Sequence, residues 1–274
     1  MQTRNNGRFS IDPINDTNLI ARCYAILSVH PSPRNALMFG PSSGSWAQVI
    51  ANHPAVERLT IVEINPGYLE LIPRYPQVAS LLNNPRVSIV IDDGRRWLRQ
   101  NAGRRFDPIA MNTTFHWRAH TSNLLSVEFL HLGREHLEAG GILYYNTTSS
   151  GRVQLTGTTV FPYGLRILNL LAVSDSPILA DEDRLREMLL QYRIDGKPVV
   201  TSNSPETLER VQEILTLAHP GTASDKEQFY SSEYADTIRQ RYAGLPLITV
   251  DNMGTEWQDP SGSENAGSQA NPAN

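Results

Sequence analysis

A single cysteine, Cys23, stands in a chain of 274 residues. One thiol cannot form an intrachain disulfide, and without a cysteine cluster there is no thiolate cage for zinc. Cys23 lies in the apolar helical pattern Ile20-Ala21-Arg22-Cys23-Tyr24-Ala25-Ile26-Leu27, where a small buried hydrophobe is the expected role. Long apolar runs are missing too: no stretch approaches the ~18–20 residues a membrane helix needs. The opening Met1-Gln2-Thr3-Arg4-Asn5-Asn6 leads into no apolar signal core. These absences predict a cytoplasmic protein with no membrane partner. Positive charge is not in excess either, with 24 Lys and Arg against 28 Asp and Glu for a net charge of −4. Nucleic-acid binding usually leaves a basic footprint, so a small-molecule substrate or another protein is the expected partner. There is no internal repeat.

What is present is an alternation of short apolar runs and helical patterns. Ala36-Leu37-Met38-Phe39 reads as a strand ending in Gly40-Pro41-Ser42-Ser43-Gly44, and Ser45–Asn52 as the helix after it. Further strands are expected at Leu59–Ile64, Val87–Ile91, Asp107–Met111 and Ile142–Asn146. Helical patterns lie between them at Gly67–Arg74, Arg95–Gln100 and Leu125–Leu137, the last closed by Gly140-Gly141 as a stop. Strands alternating with helices at this spacing predict a doubly wound α/β fold, a parallel sheet with helices on both faces. Nearly continuous apolar strands fit a sheet covered on both sides. Beyond Thr148 the rhythm loosens. Arg166–Ser174 reads as one strand, and Asp181–Tyr192, Ser204–Leu217 and Asp225–Tyr242 as helices. Ser204 followed by Pro205 makes a helix start, and Leu247–Val250 an edge strand. The division expected is an N-terminal segment over 1–30, a catalytic domain over 31–257 and a disordered tail over 258–274.

Three strand ends carry the candidate chemistry. In the first loop, Gly40, Ser42, Ser43 and Gly44 let the backbone approach a ligand closely, ahead of a helix N-terminus with free N–H groups. A purely structural turn is the competing reading. Glu63 ends the second strand, about 20 residues on, where such folds place the acid that accepts from both ribose hydroxyls. The third strand ends in Asp92-Asp93-Gly94; an aspartate there can accept from an adenine amine while the glycine leaves room for the ring. The alternative is that one of the pair caps the following helix. Loop, acid and acid at successive strand ends predict an adenosine site along the ligand-binding edge of the sheet. His131 and His136 are five apart, so they do not share the face that i,i+4 ligands need, and no metal is expected.

The segment from about Asn18 to Ser149 resembles the spermidine synthase-like aminopropyltransferases. The resemblance rests on His53-Pro54-Ala55-Val56-Glu57, Val62-Glu63-Ile64-Asn65, Asn84-Pro85-Arg86-Val87, Ile91-Asp92-Asp93-Gly94 and Gly140-Gly141-Ile142-Leu143. More narrowly, Met111-Asn112-Thr113-Thr114-Phe115-His116-Trp117-Arg118 followed by Ser122-Asn123-Leu124-Leu125 looks like the bacterial branch often fused to membrane segments. It implies a Rossmann-like sheet of the class I methyltransferase type, a homodimer, and cleavage of a sulfonium at the propyl carbon to release methylthioadenosine. S-adenosylmethionine or its decarboxylated form would be the substrate.

The departures from that family pattern are specific. Its glycine loop carries an aspartate where Ser43 stands, and after the fourth strand it has Asp-Ser-Ser-Asp where this chain has Asn112-Thr113-Thr114. Its N-terminal Tyr-His-Glu corresponds to Asn18-Leu19-Ile20. The acids that recognise a cationic amine are replaced while those for adenosine remain. A protonated polyamine needs carboxylates to bind it and to remove a proton before attack. The expected function is therefore a spermidine synthase-like transferase or lyase that cleaves the propyl-side C–S bond, with Asn112, Thr113 and His116 bordering the reacting chain. An aminopropyltransferase with an unusual acceptor, a methyltransferase and a non-catalytic nucleoside-binding module are the alternatives.

Overall fold

The computed structural model describes residues 4–5, 8–9, 20–41, 43–112, 121–147, 150–179, 181–200 and 232–252, with isolated helical positions at 205, 209, 212 and 214. In chain order the strands are β1 (Arg4–Asn5), β2 (Arg8–Phe9), β3 (Asn35–Phe39), β4 (Arg58–Glu63), β5 (Val87–Ile91), β6 (Phe106–Met111), β7 (Leu137–Asn146), β8 (Tyr163–Ile167), β9 (Leu170–Ser174), β10 (Arg193–Ile194), β11 (Lys197–Pro198) and β12 (Ser232–Tyr234). The helices are α1 (Ala21–Val29), α2 (Ser45–Ala51), α3 (Gly67–Leu71), α4 (Gly94–Gln100), α5 (Val127–Glu135), α6 (Gly151–Val160), α7 (Glu182–Gln191) and α8 (Ala235–Arg241). β1 pairs with β2 and β10 with β11, each as a short antiparallel ribbon.

The remaining strands form one sheet in the order β12-β8-β9-β7-β6-β3-β4-β5. From β7 to β5 every pairing is parallel, which is the doubly wound arrangement expected from the alternating pattern. Chain order reverses between β3 and β6, and ligands bind such sheets outside the C-terminal strand ends at that point.

Side-chain alternation divides the core in two. Ala36 and Met38 of β3 and Ile142 and Tyr144 of β7 pack with α1, α2 and α7 on one face. Leu37, Phe39, Leu143 and Tyr145 pack with α4, α5, α6 and α8 on the other. Both faces are apolar because both are covered. The helix starts are capped as their sequences suggest, with Asp93, Ser126, Ser150 and Asp181 accepting from Arg96, Phe129, Val153 and Arg184 N–H groups. Cys23 is fully buried, as a small hydrophobe in this pattern should be.

The later elements differ from the sequence expectation. Gly140 and Gly141 do not stop a helix: α5 ends at Glu135, and β7 begins at Leu137 and runs through both glycines. Gly140 holds φ +79, and a Cβ on Gly141 would meet the Phe106 and Asp107 carbonyls at 2.9 Å. This is where the β6–β7 register shifts, so the pair serves a bulge that only glycine fits. Arg166–Ser174 is not one strand but the turn and one arm of a hairpin, β8 returning as β9 antiparallel to β7. Leu247–Val250 adds no strand. Ile248 is buried with its N–H on Thr156 Oγ1 and its carbonyl accepting from Val127, so the segment packs across α5 and α6. Of the helix expected over 225–242, residues 232–234 form edge strand β12 and Ala235–Arg241 the helix. The helix expected over 204–217 lies mostly outside the described residues, as does the 258–274 tail. Among the described residues no helix is long and apolar enough to cross a membrane.

His53, on the approach to β4, is buried, and its Nδ1 accepts from the Ala55 N–H at 2.9 Å. Burial, with His30 and Arg86 nearby, lowers its pKa from 6.5 to about 4. The unfolded chain therefore takes up this proton first, so the stability His53 contributes is present above pH 6.5 and lost as pH falls toward 4. On the order of 3 kcal/mol is at stake. Urea denaturation at pH 7 and pH 4.5 is expected to show that loss in the wild type and a smaller one in His53→Gln. An equal loss in both proteins would place the acid sensitivity elsewhere.

Candidate active site

Among the described residues, Ser43, Glu63, Asp92, Asp93 and Asn112 converge on the C-terminal edge of the parallel strands. After β3, Gly40 takes φ +73 and donates its N–H to the Val62 carbonyl at 3.0 Å, tying the loop to β4. Gly44, at φ +87, is the N-cap of α2 and lies against Val78. Both conformations are ones a side chain resists, so Gly40 and Gly44 leave the backbone open at the two ends of the turn. Ser43 and Ser45 share a hydrogen bond between hydroxyls at 3.0 Å. Ser42 lies outside the described residues.

Glu63 is buried at the end of β4, with Oε1 accepting from the Asn65 N–H at 2.6 Å. A Cβ on Gly40 would sit 3.8 Å from its Oε2, so the carboxylate stands directly beside the glycine turn. Burial raises its pKa, and the N–H groups of Asn65 and Ile64 oppose that shift only in part. A carboxyl desolvated before any ligand arrives is a feature of functional sites more than of surface strand ends.

At the end of β5 the two aspartates divide their tasks. Asp93 Oδ1 accepts from the Arg96 N–H at 2.9 Å and so caps α4. Asp92 Oδ1 accepts from the Asp93 N–H at 2.6 Å and pairs with the Arg96 guanidinium. The capping alternative thus falls to Asp93, the aspartate otherwise matched to adenine, whose second oxygen is not the capping atom. A Cβ on Gly94 would lie 2.6 Å from the Phe39 ring, so glycine is needed for α4 to start against β3.

On the other side of β3, Asn112 follows β6, and its Oδ1 accepts from Asn146 Nδ2 at the end of β7 at 3.3 Å. Asn146 Oδ1 accepts from Asn169 Nδ2 at 2.9 Å, and Asn169 Oδ1 from the Arg22 guanidinium. Thr113 and His116 lie outside the described residues. Asn146 was readable as a strand-end neighbour of Asn112; Asn169, in the β8–β9 turn, carried no such signal. His131 is exposed and His136 buried against the Arg104 carbonyl. Among the described residues no group of three His, Cys, Asp or Glu side chains is placed to hold a metal. An open groove lined by Asn52, Ser80, Asn84, Arg86 and Asp195 lies before β4 and β5, at the opposite edge.

A family model described as the spermine/spermidine synthase domain matches residues 23–155. The polyamine aminopropyltransferase of Streptococcus pneumoniae serotype 4 is 34% identical over 120 residues, covering 43% of this chain and 41% of the relative. That of Moorella thermoacetica is 27% identical over 187 residues, covering 61% of this chain and 65% of the relative. The chain thus spans about two fifths of the length of the first of these relatives. Among solved structures, a spermidine synthase in complex with the transition state analogue AdoDATO matches with TM-score 0.52 and 20% identity, covering 70% of this chain and 72% of that one. Spermidine synthase from Thermotoga maritima matches with TM-score 0.50 and 21% identity, over 70% and 71%. At these identities the structural likeness is one of fold.

Proposed function

We propose that this chain, whose residues 23–155 match the spermine/spermidine synthase domain, is an enzyme acting on S-adenosylmethionine or its decarboxylated form. It cleaves the propyl-side C–S bond and releases methylthioadenosine. The observation that carries the reading is Glu63, a buried carboxylate beside the Gly40 turn at the switch point of the sheet. Glu63 accepts from both ribose hydroxyls, the Gly40–Gly44 backbone lies along the nucleoside, and the Asp92-Asp93-Gly94 turn borders the adenine. Asn112, with Thr113 and His116 after it in sequence, is assigned to the reacting chain.

The chemistry asks little of the protein. A nucleophile donates a pair to the propyl carbon, the C–S pair collapses onto sulfur, and the sulfonium charge is neutralised as methylthioadenosine leaves. Orientation of a pre-activated leaving group supplies much of the acceleration. An external amine would also have to lose a proton, a task for a carboxylate, yet the position after β6 holds the neutral Asn112. An internal nucleophile on the same sulfonium needs no such base when it is a carboxylate.

Incubating the purified protein with each sulfonium, with and without putrescine, and identifying products by mass spectrometry tests the proposal. Methylthioadenosine formed from a sulfonium alone is the expected result. Its appearance only with putrescine would make the protein an aminopropyltransferase. S-adenosylhomocysteine would make it a methyltransferase, and binding without turnover a nucleoside-binding module; either of these two overturns the proposal, whereas dependence on putrescine overturns only the acceptor-free route.

A further inference from the structure

The side chains that meet beyond the ends of β6, β7 and the β8–β9 turn form a directed relay. A guanidinium can only donate, so the bond from Arg22 to Asn169 Oδ1 fixes which way the Asn169 amide faces. Asn169 Nδ2 must then donate to Asn146 Oδ1, and Asn146 Nδ2 to Asn112 Oδ1. No amide in this chain can be flipped without breaking a link. The relay ends on Asn112 Nδ2, so the group at the reacting-chain end is an N–H donor. Hydrogen bonds aligned head to tail polarise one another, and the cation at the far end increases the positive character of the last N–H.

The relay is rigidly mounted. The Asn169 carbonyl accepts from both the N–H and the Oγ1 of Thr147, at 2.8 and 2.9 Å. Leu168, which precedes it, is buried and held at φ +55, a left-handed conformation that disfavours a non-glycine residue. The Arg166 guanidinium fastens it there through the Leu168 carbonyl at 2.8 Å. At the other end, the Tyr144 hydroxyl donates to the Arg22 carbonyl at 2.8 Å and pins α1 to β7. Arg22 itself is only 8% exposed, in the first turn of α1, which carries no acidic residue. A cation there is disfavoured by the helix dipole and by desolvation.

We propose that this relay is a carboxylate-recognising subsite, in which Asn112 Nδ2, backed by Arg22 through Asn169 and Asn146, receives the carboxylate of an amino-acid tail. The substrate is then the carboxylated sulfonium, S-adenosylmethionine, rather than its decarboxylated form. A decarboxylated tail ends in an ammonium group, which is itself only a donor and carries the same sign as Arg22. It would meet the relay donor to donor. Asn112, Asn146, Asn169 and Arg22 are specificity-determining residues on this reading, which rests on the nucleoside site proposed above.

Calorimetric titration with three stable thioethers separates the two. These are methylthioadenosine, which has no tail, S-adenosylhomocysteine, and the decarboxylated counterpart of S-adenosylhomocysteine. Wild type is expected to bind S-adenosylhomocysteine at least tenfold more tightly than the decarboxylated thioether, as one charge-assisted hydrogen bond allows. Asn112→Asp keeps the acceptor for Asn146 but turns the terminal donor into an anionic acceptor, so the preference is expected to invert. Arg22→Gln is expected to bring the ratio close to one while affinity for methylthioadenosine stays within about twofold of wild type. Equal affinity of wild type for the two tailed ligands, or an unchanged preference in Asn112→Asp, overturns the subsite and leaves the nucleoside site standing. Failure of wild type to bind methylthioadenosine at all overturns both.

Discussion

Replacing Glu63 with glutamine is expected to weaken methylthioadenosine binding about 100-fold. Hydrogen bonds to a charged acceptor contribute roughly 1.5–3 kcal/mol each, and two ribose hydroxyls use this carboxylate. The amide can still accept one of them, but its NH₂ faces the other hydroxyl as a donor. Calorimetric titration of the two proteins gives the ratio, and a difference below about threefold would remove Glu63 from the ligand site. The pH dependence has a definite sign. Burial raises the Glu63 pKa in the ligand-free protein, and the ligand needs the ionised form, so wild-type affinity falls as pH drops through that raised value. The advantage over Glu63→Gln shrinks with it. Stability moves in the opposite direction. The folded pKa lies above the unfolded one, so the contribution of this group is full at low pH and is lost as pH rises through the folded value. Ligand-free Glu63→Gln is therefore expected to melt higher than wild type at neutral pH, with the gap closing in acid.

The second large effect concerns the wall behind the relay. Gly157 faces Tyr145, the residue before Asn146 on β7, and a Cβ on Gly157 would overlap the Tyr145 hydroxyl and lie 2.9 Å from Leu171 Cδ2. Overpacking of this kind costs roughly 1–3 kcal/mol, and alanine returns about 1 kcal/mol of helix propensity. Because the Cβ overlaps the Tyr145 hydroxyl outright, the cost lies at the upper end of that range, and Gly157→Ala is expected to lose about 2 kcal/mol net, a fall of roughly 5 °C in melting temperature for a chain of this size. The Tyr145 hydroxyl is buried with no hydrogen-bond partner among the described residues. Tyr145→Phe alone is thus expected to gain about 1 kcal/mol, and the double variant to melt close to wild type. A double variant as unstable as Gly157→Ala would show that Leu171, not the hydroxyl, is the obstacle.

Most of what positions the site was legible in the residues. Ala36–Phe39, Leu59–Ile64, Val87–Ile91 and Asp107–Met111 are short apolar runs separated by helical patterns, and all four are parallel strands of the central sheet. Strand ends locate the ligand edge, which is why Gly40, Glu63, Asp92 and Asn112 were found together. Local pattern failed where a long-range contact decides. Gly140-Gly141 carries the signature of a helix stop, yet the crowding that demands glycine comes from the carbonyls of Phe106 and Asp107 on a neighbouring strand. The β8–β9 hairpin turns at Leu168-Asn169 without glycine or proline, its left-handed residue held by Arg166, so the run reads as one strand. The relay was invisible for the same reason: Arg22 and Asn169 meet only because α1 and the hairpin turn reach the same end of β7.

Asp93 shows a different limit. An aspartate before a glycine at a strand end is both a good helix cap and a good adenine contact, and one side chain serves the first role here. Sequence alone could not separate the two, because both depend on where α4 begins.

Propyl-side cleavage is tested most directly by the fate of one label. S-adenosylmethionine carrying ¹³C in its S-methyl group, incubated with the purified protein and followed by mass spectrometry, is expected to yield methylthioadenosine that retains the label. Unlabelled S-adenosylhomocysteine as the nucleoside product would mean that the methyl–sulfur bond breaks instead, and would contradict the proposed reaction.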